Sequence, residues 1–371
     1  MKTAGTSEIE NCEQRLPVSA AAWRLSEIKF HFGSWTLMLL LALAVVIAAS
    51  MGAVRIPPKE IVSMLLNQIG IAHLPRTWSE SHETIILQIR LPRVLAAALV
   101  GGALSVAGTL FQGLLRNPLA DPYVIGTSGG AALGATLGLL ISTHVSILGF
   151  GVVPTLAFAG ALCTAAVSYR LSRIGGRTSV VTLLLAGFAL SVILSYSMSL
   201  LLILNDQLQL NLRALYSWLL GGISVTSWAQ VEVLAGLVSV GCAGAFAIGR
   251  SLNAMSLGDE MAESLGIRVE RQRAVVLALG SLLTAAAVIG GGLIGFVGLI
   301  VPHAMRLVFG PGHSRLLLLS AVAGAAFLVV ADLLSRILIA PNELPVGILT
   351  AIIGGPIFLY LLRRSKSEYR F

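Results

Sequence analysis

The side chains that could do chemistry are few, and their spacing fits no familiar reaction. Six histidines, His31, His73, His82, His144, His303 and His313, never fall into H-E-x-x-H or another ligand spacing. The three cysteines, Cys12, Cys163 and Cys242, stand far apart, two of them inside apolar runs where a small hydrophobe belongs. Neither a metal centre nor a disulfide framework is expected. No G-x-S-x-G occurs, and no Ser/His/Asp constellation can be argued from spacing. No G-x-x-x-x-G-K-[ST] occurs either. The Gly-rich stretches 126–134 and 290–298 lack the lysine that would reach phosphate oxygens, so this polypeptide does not hydrolyse ATP by itself. Inside the apolar runs the notable ionisable groups are Glu232 and Asp332, and Asp332 stands four residues before Arg336, the order of a favourable helical ion pair. A chain of buried carboxylates is missing, which argues against an ion-coupled secondary transporter; that reading stays as the alternative.

The elements that carry these residues are apolar. Of 371 residues, 56% are hydrophobic and 11% charged, where a soluble domain carries about a quarter charged residues. Mean hydropathy is +0.89. Most of the surface is therefore solvated by lipid, which excludes a soluble enzyme, a nucleic-acid binder and a disordered scaffold. The formal charge of +8 sits between the apolar segments, as membrane topology requires, and needs no nucleic acid to explain it.

Crossing the hydrocarbon core takes about 20 apolar residues as a helix. Ten segments qualify, at 35–54, 91–115, 124–141, 147–169, 180–204, 228–248, 274–294, 297–309, 316–339 and 346–362, the seventh and eighth running together through Gly-rich sequence. None alternates like a barrel strand, so all are read as helices. Gly130, Gly134 and Gly138 recur every four residues, a spacing that lets a neighbouring backbone approach. Residues 1–34 form an extension too long and too acidic for the start of a signal peptide, so the first helix is expected to be retained.

With the amino terminus inside, most of the 25 Lys and Arg fall on the inner side, which places both termini in the cytoplasm. The exceptions are Arg55, Lys59, Arg76, Arg90, Arg93, Arg213 and Arg336. Arg90 and Arg93, three apart at the start of a helix, share a face, and Arg336 ends another helix on the same side. Snorkelling to lipid headgroups fits these arginines, and so does an outward cationic patch that receives an acidic partner. The largest outer loop, 53–83, is amphipathic and contains Pro57, Pro58 and Pro75, so a short interfacial helix is expected there. The longest inner excursion, 250–273, is polar, partly helical in period and flanked by cations. Two stretches cannot be ordinary lipid-facing helix. Residues 116–122, with Pro118 and Pro122, predict a tight turn, and 290–302, rich in glycine, predict a broken connection buried within protein or against a water-filled cavity.

From Leu91 to Leu362 the chain resembles the FecCD-type permease subunits of binding-protein-dependent ABC importers for iron chelates, haem and cobalamin. The resemblance is carried by LPRVLAAALVGGALSVAGTLFQGLLRNPLADPYVIGTSGGAALGA from Leu91, SLGDEMAESLGI from Ser256, GFVGLIVPHAMRL from Gly295, and ADLLSR from Ala331 with ELPVGILTAIIGGPIFLYLL from Glu343. It implies an all-α polytopic membrane protein of about ten transmembrane helices with the type II ABC importer permease fold, 35–371 forming the permease domain. It also implies a multi-pass protein of the bacterial inner membrane, surrounded by lipid and without nucleic acid.

The same resemblance implies a homodimer around the pathway, one cytoplasmic ABC ATPase for each subunit, and a periplasmic or lipid-anchored substrate-binding protein. No cofactor is expected on this chain, ATP and magnesium belonging to the ATPase. The segment 251–270 is then the coupling segment seated on that ATPase, through Leu257, Gly258, Asp259, Glu260, Ala262, Leu265 and Gly266, and the acidic Asp259, Glu260 and Glu263 suit such a contact. Arg90, Arg93 and Arg336 match the outer arginines that pair with glutamates of the binding protein. Val180 and Val181 fall at the cytoplasmic gate, where family members often carry small hydroxyl residues, so valines would make a more apolar constriction. The helix at 212–220 would shape the outer mouth. The function implied is import of a metal chelate, a ferric siderophore before haem or cobalamin, with no catalytic residue on this chain.

Overall fold

The computed structural model describes residues 20–365 apart from 53, 69, 71–73, 77 and 142–144. The first nineteen residues of the extension, with Cys12, lie outside the described residues, as do His73, His144 and the terminal cations Lys366 and Arg370. Sixteen α-helices follow in order: α1 Ala20–Ser50, α2 Pro58–Gln68, α3 Glu80–Thr84, α4 Leu91–Leu114, α5 Thr127–Leu140, α6 Val152–Ser172, α7 Val180–Leu204, α8 Asp206–Leu210, α9 Leu212–Leu219, α10 Trp228–Ala247, α11 Gly249–Ser256, α12 Asp259–Ser264, α13 Val269–Gly291, α14 Val297–Phe309, α15 His313–Ile337 and α16 Val346–Ser365. A wide π turn, Ile85–Arg90, joins α3 to α4, and a small antiparallel hairpin of β1, Arg173–Ile174, and β2, Arg177–Thr178, precedes α7.

Eight of these helices or helical runs are long and apolar enough to cross a membrane, and α5 and α14 are shorter apolar helices. The ten apolar segments of the sequence are thus all helical, but two do not span. At 14 and 13 residues, α5 and α14 reach only about 20 Å at 1.5 Å per residue. The connection between α4 and α5 folds back against the bundle, where Pro122 lies on Gly298 at the head of α14. The excursion 53–83 carries α2 and α3, as its amphipathic pattern predicts, with Ile61, Met64 and Ile86 buried beneath.

Helix α4 is the axis of the fold and is buried along most of its length. Its small residues make this possible. A Cβ on Gly101 would lie 2.2 Å from the Gly324 carbonyl oxygen of α15, and one on Gly108 would lie 1.7 Å from that of Gly298. Backbones pack directly here, the mode open to helices that gain nothing by hiding from lipid. The Gly130, Gly134 and Gly138 ridge of α5 does the same against Gly160, Leu156 and Val153 of α6. Helix α7 is the opposite case, with Leu183 and Gly187 its buried residues and an apolar outer face.

Candidate functional site

Two places concentrate charge, one at each end of the bundle. At the end where α4 and α6 finish and α7 and α13 begin, α11 and α12 form a bent helical pair. Gly258 at φ +122° and Gly266 at φ +80° reverse the chain before and after α12, conformations that a side chain resists. Leu252, Met255 and Ala262 root the pair in the core. Leu257, Met261 and Leu265, four residues apart, remain 69%, 52% and 61% exposed, which leaves an apolar stripe facing outward.

Asp259 holds this segment down. Its carboxylate bridges Arg116, from the connection after α4, and Arg273 of α13, the latter at 2.5 Å. Arg116 also donates to the Met255 carbonyl at 3.0 Å, while Arg273 reaches the Thr178 carbonyl at 3.0 Å and Glu270 at 2.7 Å. Glu270 in turn accepts from the Thr178 backbone at 2.8 Å. The α4–α5 connection, the β1–β2 hairpin, α12 and α13 are therefore tied by one network. The three acids of the segment do not share one role: Asp259 is committed to its own chain, whereas Glu260 and Glu263 are exposed. Val180 and Val181 open α7 just beyond the hairpin, Val180 half-buried and Val181 exposed, with Ser179 capping the helix by accepting from the Thr182 backbone at 3.3 Å.

In the α4–α5 connection, Asp121 caps the turn Pro122–Ile125 by accepting from the Tyr123 backbone at 2.8 Å. Burial pushes its carboxyl up to about 6, although that hydrogen bond favours the charged form.

At the other end, Arg90, Arg93 and Arg336 come together, although their burial differs from an outward patch. The last carbonyls of α1 lack helical partners and carry the negative end of its dipole. Two arginines cap them from other helices. Arg90 donates to the carbonyls of Ala49 at 2.8 Å, Ser50 at 3.3 Å and Val54 at 2.5 Å. Arg336 reaches those of Ala48 at 3.1 Å and Met51 at 3.4 Å. Gly52 leaves the room, since a Cβ there would lie 2.6 Å from an Arg90 nitrogen. Arg93 pairs with Asp332 at 3.0 Å and Glu343 at 2.9 Å, and Arg336 with Asp332 at 3.1 Å. Asp332 is 1% exposed, so its charge is tolerable only with both arginines against it.

The expected outward patch is therefore corrected in one respect: Arg90, 7% exposed, is directed into the protein, and Arg336 spends its guanidinium on α1 and Asp332. The Asp332–Arg336 pair was readable from its four-residue spacing. Glu343 was not, because no local pattern joins it to Arg93 across 250 residues. Beside the cluster lies a cavity of about 560 Å³ whose wall includes Arg55, Ile89, Arg90, Arg93, Arg336 and Glu343. Glu232, the other intramembrane carboxylate, lies exposed near the start of α10. Among the described residues no group of three or more His, Cys, Asp or Glu could hold a metal.

A bundle of apolar helices, eight of them long enough to cross a membrane, is the architecture of a polytopic membrane protein. The model of the FecCD transport family matches residues 40–364, and the chain belongs to that family. It is similar to an ABC transporter permease protein of Bacillus subtilis, 42% identical over 88% of this chain and 91% of that protein. A cobalamin import system permease of Halobacterium salinarum is 44% identical over 76% of this chain and 74% of its own length. A hemin transport system permease of Yersinia pestis is 41% identical over 76% and 84%. Among solved structures, an inward-facing conformation of a metal-chelate type ABC transporter aligns with a TM-score of 0.76 at 30% identity, covering 89% of this chain and 98% of that one. These relatives give no support to the ion-coupled alternative, and Asp332, clamped between two arginines, is no free carrier carboxylate.

Proposed function

We propose that two copies of this chain form the transmembrane pathway of an importer for a metal chelate, a ferric siderophore before haem or cobalamin. Its relatives move iron chelates, hemin and cobalamin by their names, and iron chelates recur most among them. Both termini lie in the cytoplasm, so α11 and α12 meet an ABC ATPase that carries the ATP and magnesium. The arginine end faces a periplasmic or lipid-anchored binding protein. The chain itself holds no cofactor and catalyses nothing. It stands in the lipid of the cytoplasmic membrane, where the exposed face of α7, with Val180 and Val181 at its inner end, approaches the second copy.

The observation that carries this reading is the stripe of Leu257, Met261 and Leu265, apolar and exposed on a segment that Asp259 fastens to the α4–α5 connection and to α13. An exposed apolar face on a rigid mount is suited to a protein partner. Rigid mounting also lets a push on the stripe reach α13 and the hairpin before α7. ATP can then favour one of two packings of the dimer only if the contact at the stripe differs between them.

The test is ATPase activity of the chain co-purified with its ATPase in lipid nanodiscs, with the binding protein loaded in turn with ferric siderophore, haem or cobalamin. Stimulation by one loaded form is expected and names the substrate. Failure to hold any ATPase would remove the importer reading.

A further inference from the structure

The first half of α1 forms one side of a groove that neither charged cluster uses. Lys29, Phe32, Gly33, Thr36 and Leu37 follow the spacing i, i+3, i+4, i+7 and i+8, so they share one face of the helix. Val308 and Phe309, at the end of α14, close the other side, and the space between is about 450 Å³. Gly33 sets the approach of the two helices, since a Cβ there would lie 2.2 Å from the Phe309 ring. Thr36 adds no polarity to the floor, because its hydroxyl already donates to the Phe32 carbonyl at 2.8 Å. The groove is therefore apolar except at Lys29, which is exposed and has no ion pair among the described residues.

Its depth in the membrane follows from the same helix. The membrane-crossing run of α1 starts at Lys29 and ends at Ser50, and Trp35, exposed within its first two turns, marks the membrane interface. Lys29 thus stands at the level of the headgroups. Leu37, eight residues on, lies about 12 Å deeper at 1.5 Å per residue. With α1 entering from the cytoplasm, as proposed above, this is the inner leaflet. The Arg315 guanidinium lies at the same level, 5.3 Å from the Phe30 ring centroid, and the groove lining contains no acid.

We propose that this groove binds an anionic phospholipid of the inner leaflet, with the phosphate on Lys29 and one acyl chain along Gly33, Leu37 and Phe309. Charge and depth together select that class. A soluble anion would satisfy Lys29 and leave the trough beneath it unused, and a zwitterionic lipid would bring its own cation against the ammonium. A lysine can lay its stem on an apolar wall and keep its charge among the headgroups, which suits this position. The inference goes beyond the import reading and takes from it only the orientation. It gives a role to residues 29–37, which precede the part of the chain that the family model matches.

The experiment titrates the full-length protein in detergent micelles with dioleoyl phosphatidylglycerol or dioleoyl phosphatidylcholine, counts bound lipids by native mass spectrometry, and records thermal unfolding in phosphatidylcholine. The first phosphatidylglycerol should bind about fivefold tighter than phosphatidylcholine, and Lys29→Gln should remove most of that preference. Thr36→Trp, which fills the trough from an exposed position, should weaken both lipids. Inorganic phosphate at equal concentration should displace neither. Equal binding of the two lipids by the wild type, or an unchanged preference in Lys29→Gln, would overturn the site. Normal binding by Thr36→Trp would reduce it to attraction at the headgroups, and displacement by phosphate would make it a site for anions without a chain; either result overturns the proposal. A lower unfolding temperature of Lys29→Gln in phosphatidylcholine would assign Lys29 to the fold and overturn it as well. All of these results leave the importer reading standing, because none depends on an ATPase or a binding protein.

Discussion

The indole nitrogen of Trp228, at the head of α10, donates to the carbonyl oxygen of Leu87 at 2.9 Å. That carbonyl needs an outside donor for a local reason. In the wide turn 85–90 the Leu91 amide returns to Ile86, and the next residue, Pro92, has no N–H to give. Trp228 fills the vacancy from 141 residues away, and the turn it steadies ends on Arg90, the residue that caps α1. Replacing Trp228 with Phe keeps the ring and removes the donor. The expected result is a loss of about 1–2 kcal/mol and faster amide hydrogen exchange in 47–56 and 85–91, with α13 unaffected. Adding Pro92→Ala supplies an amide at the right place and should restore protection in part. Equal exchange in Trp228→Phe and wild type would remove the link between the two residues.

Asp332 makes a second prediction, since it is buried between Arg93 and Arg336. Asp332→Ala leaves two guanidinium groups with one exposed carboxylate between them, a loss of about 3–5 kcal/mol by thermal or denaturant unfolding. Removing charge on both sides, as in Asp332→Leu with Arg336→Leu, should cost less than the single change. An ion-coupled carrier would instead show normal stability and lost transport in Asp332→Asn.

Much of the architecture could be read from periodicity and charge, because lipid imposes simple rules: long apolar runs became helices, and the Gly130 ridge met α6 where its four-residue repeat pointed. The bounds of the short helices were legible too: α14 runs over the same 297–309 that the apolar pattern marks, and α5 starts three residues later than its segment, after the turn that Asp121 caps. In the arginine cluster the residues were legible but not their orientation. Arg90 and Arg93 lie three apart, yet the π turn, Gly52 and the open end of α1 send Arg90 inward while Arg93 meets Glu343. Nothing in the local sequence specifies those long-range partners. Asp259 was grouped with Glu260 and Glu263 by charge, and only packing separated it from them.

That separation yields a prediction at the coupling segment. Met261→Glu puts a charge into the exposed apolar stripe without touching the network, so it should abolish co-purification of the ATPase while leaving the unfolding temperature unchanged. Asp259→Asn should do the reverse in part, loosening α12 by weakening its ties to Arg116 and Arg273, and lowering coupling of ATP hydrolysis to uptake more than ATPase binding. Unchanged ATPase binding by Met261→Glu would remove the stripe from the interface.

Asp121 gives a pH dependence whose sign follows from its raised carboxyl. A group that ionises near 6 when folded but near its ordinary value of 3.8 when unfolded binds its proton more tightly in the fold. Its contribution to stability is complete below about pH 4, declines between there and pH 6, and is gone above. Asn at this position keeps the oxygen that accepts from the Tyr123 amide and cannot ionise. Asp121→Asn should therefore unfold about 2 °C higher than wild type at pH 7.5 and no higher at pH 4. Measuring both proteins in the same nanodiscs across that range checks it. A difference that is constant with pH would show that the two side chains differ in packing and not in charge, so that burial of the Asp121 carboxylate imposes no penalty on the turn that leads into α5.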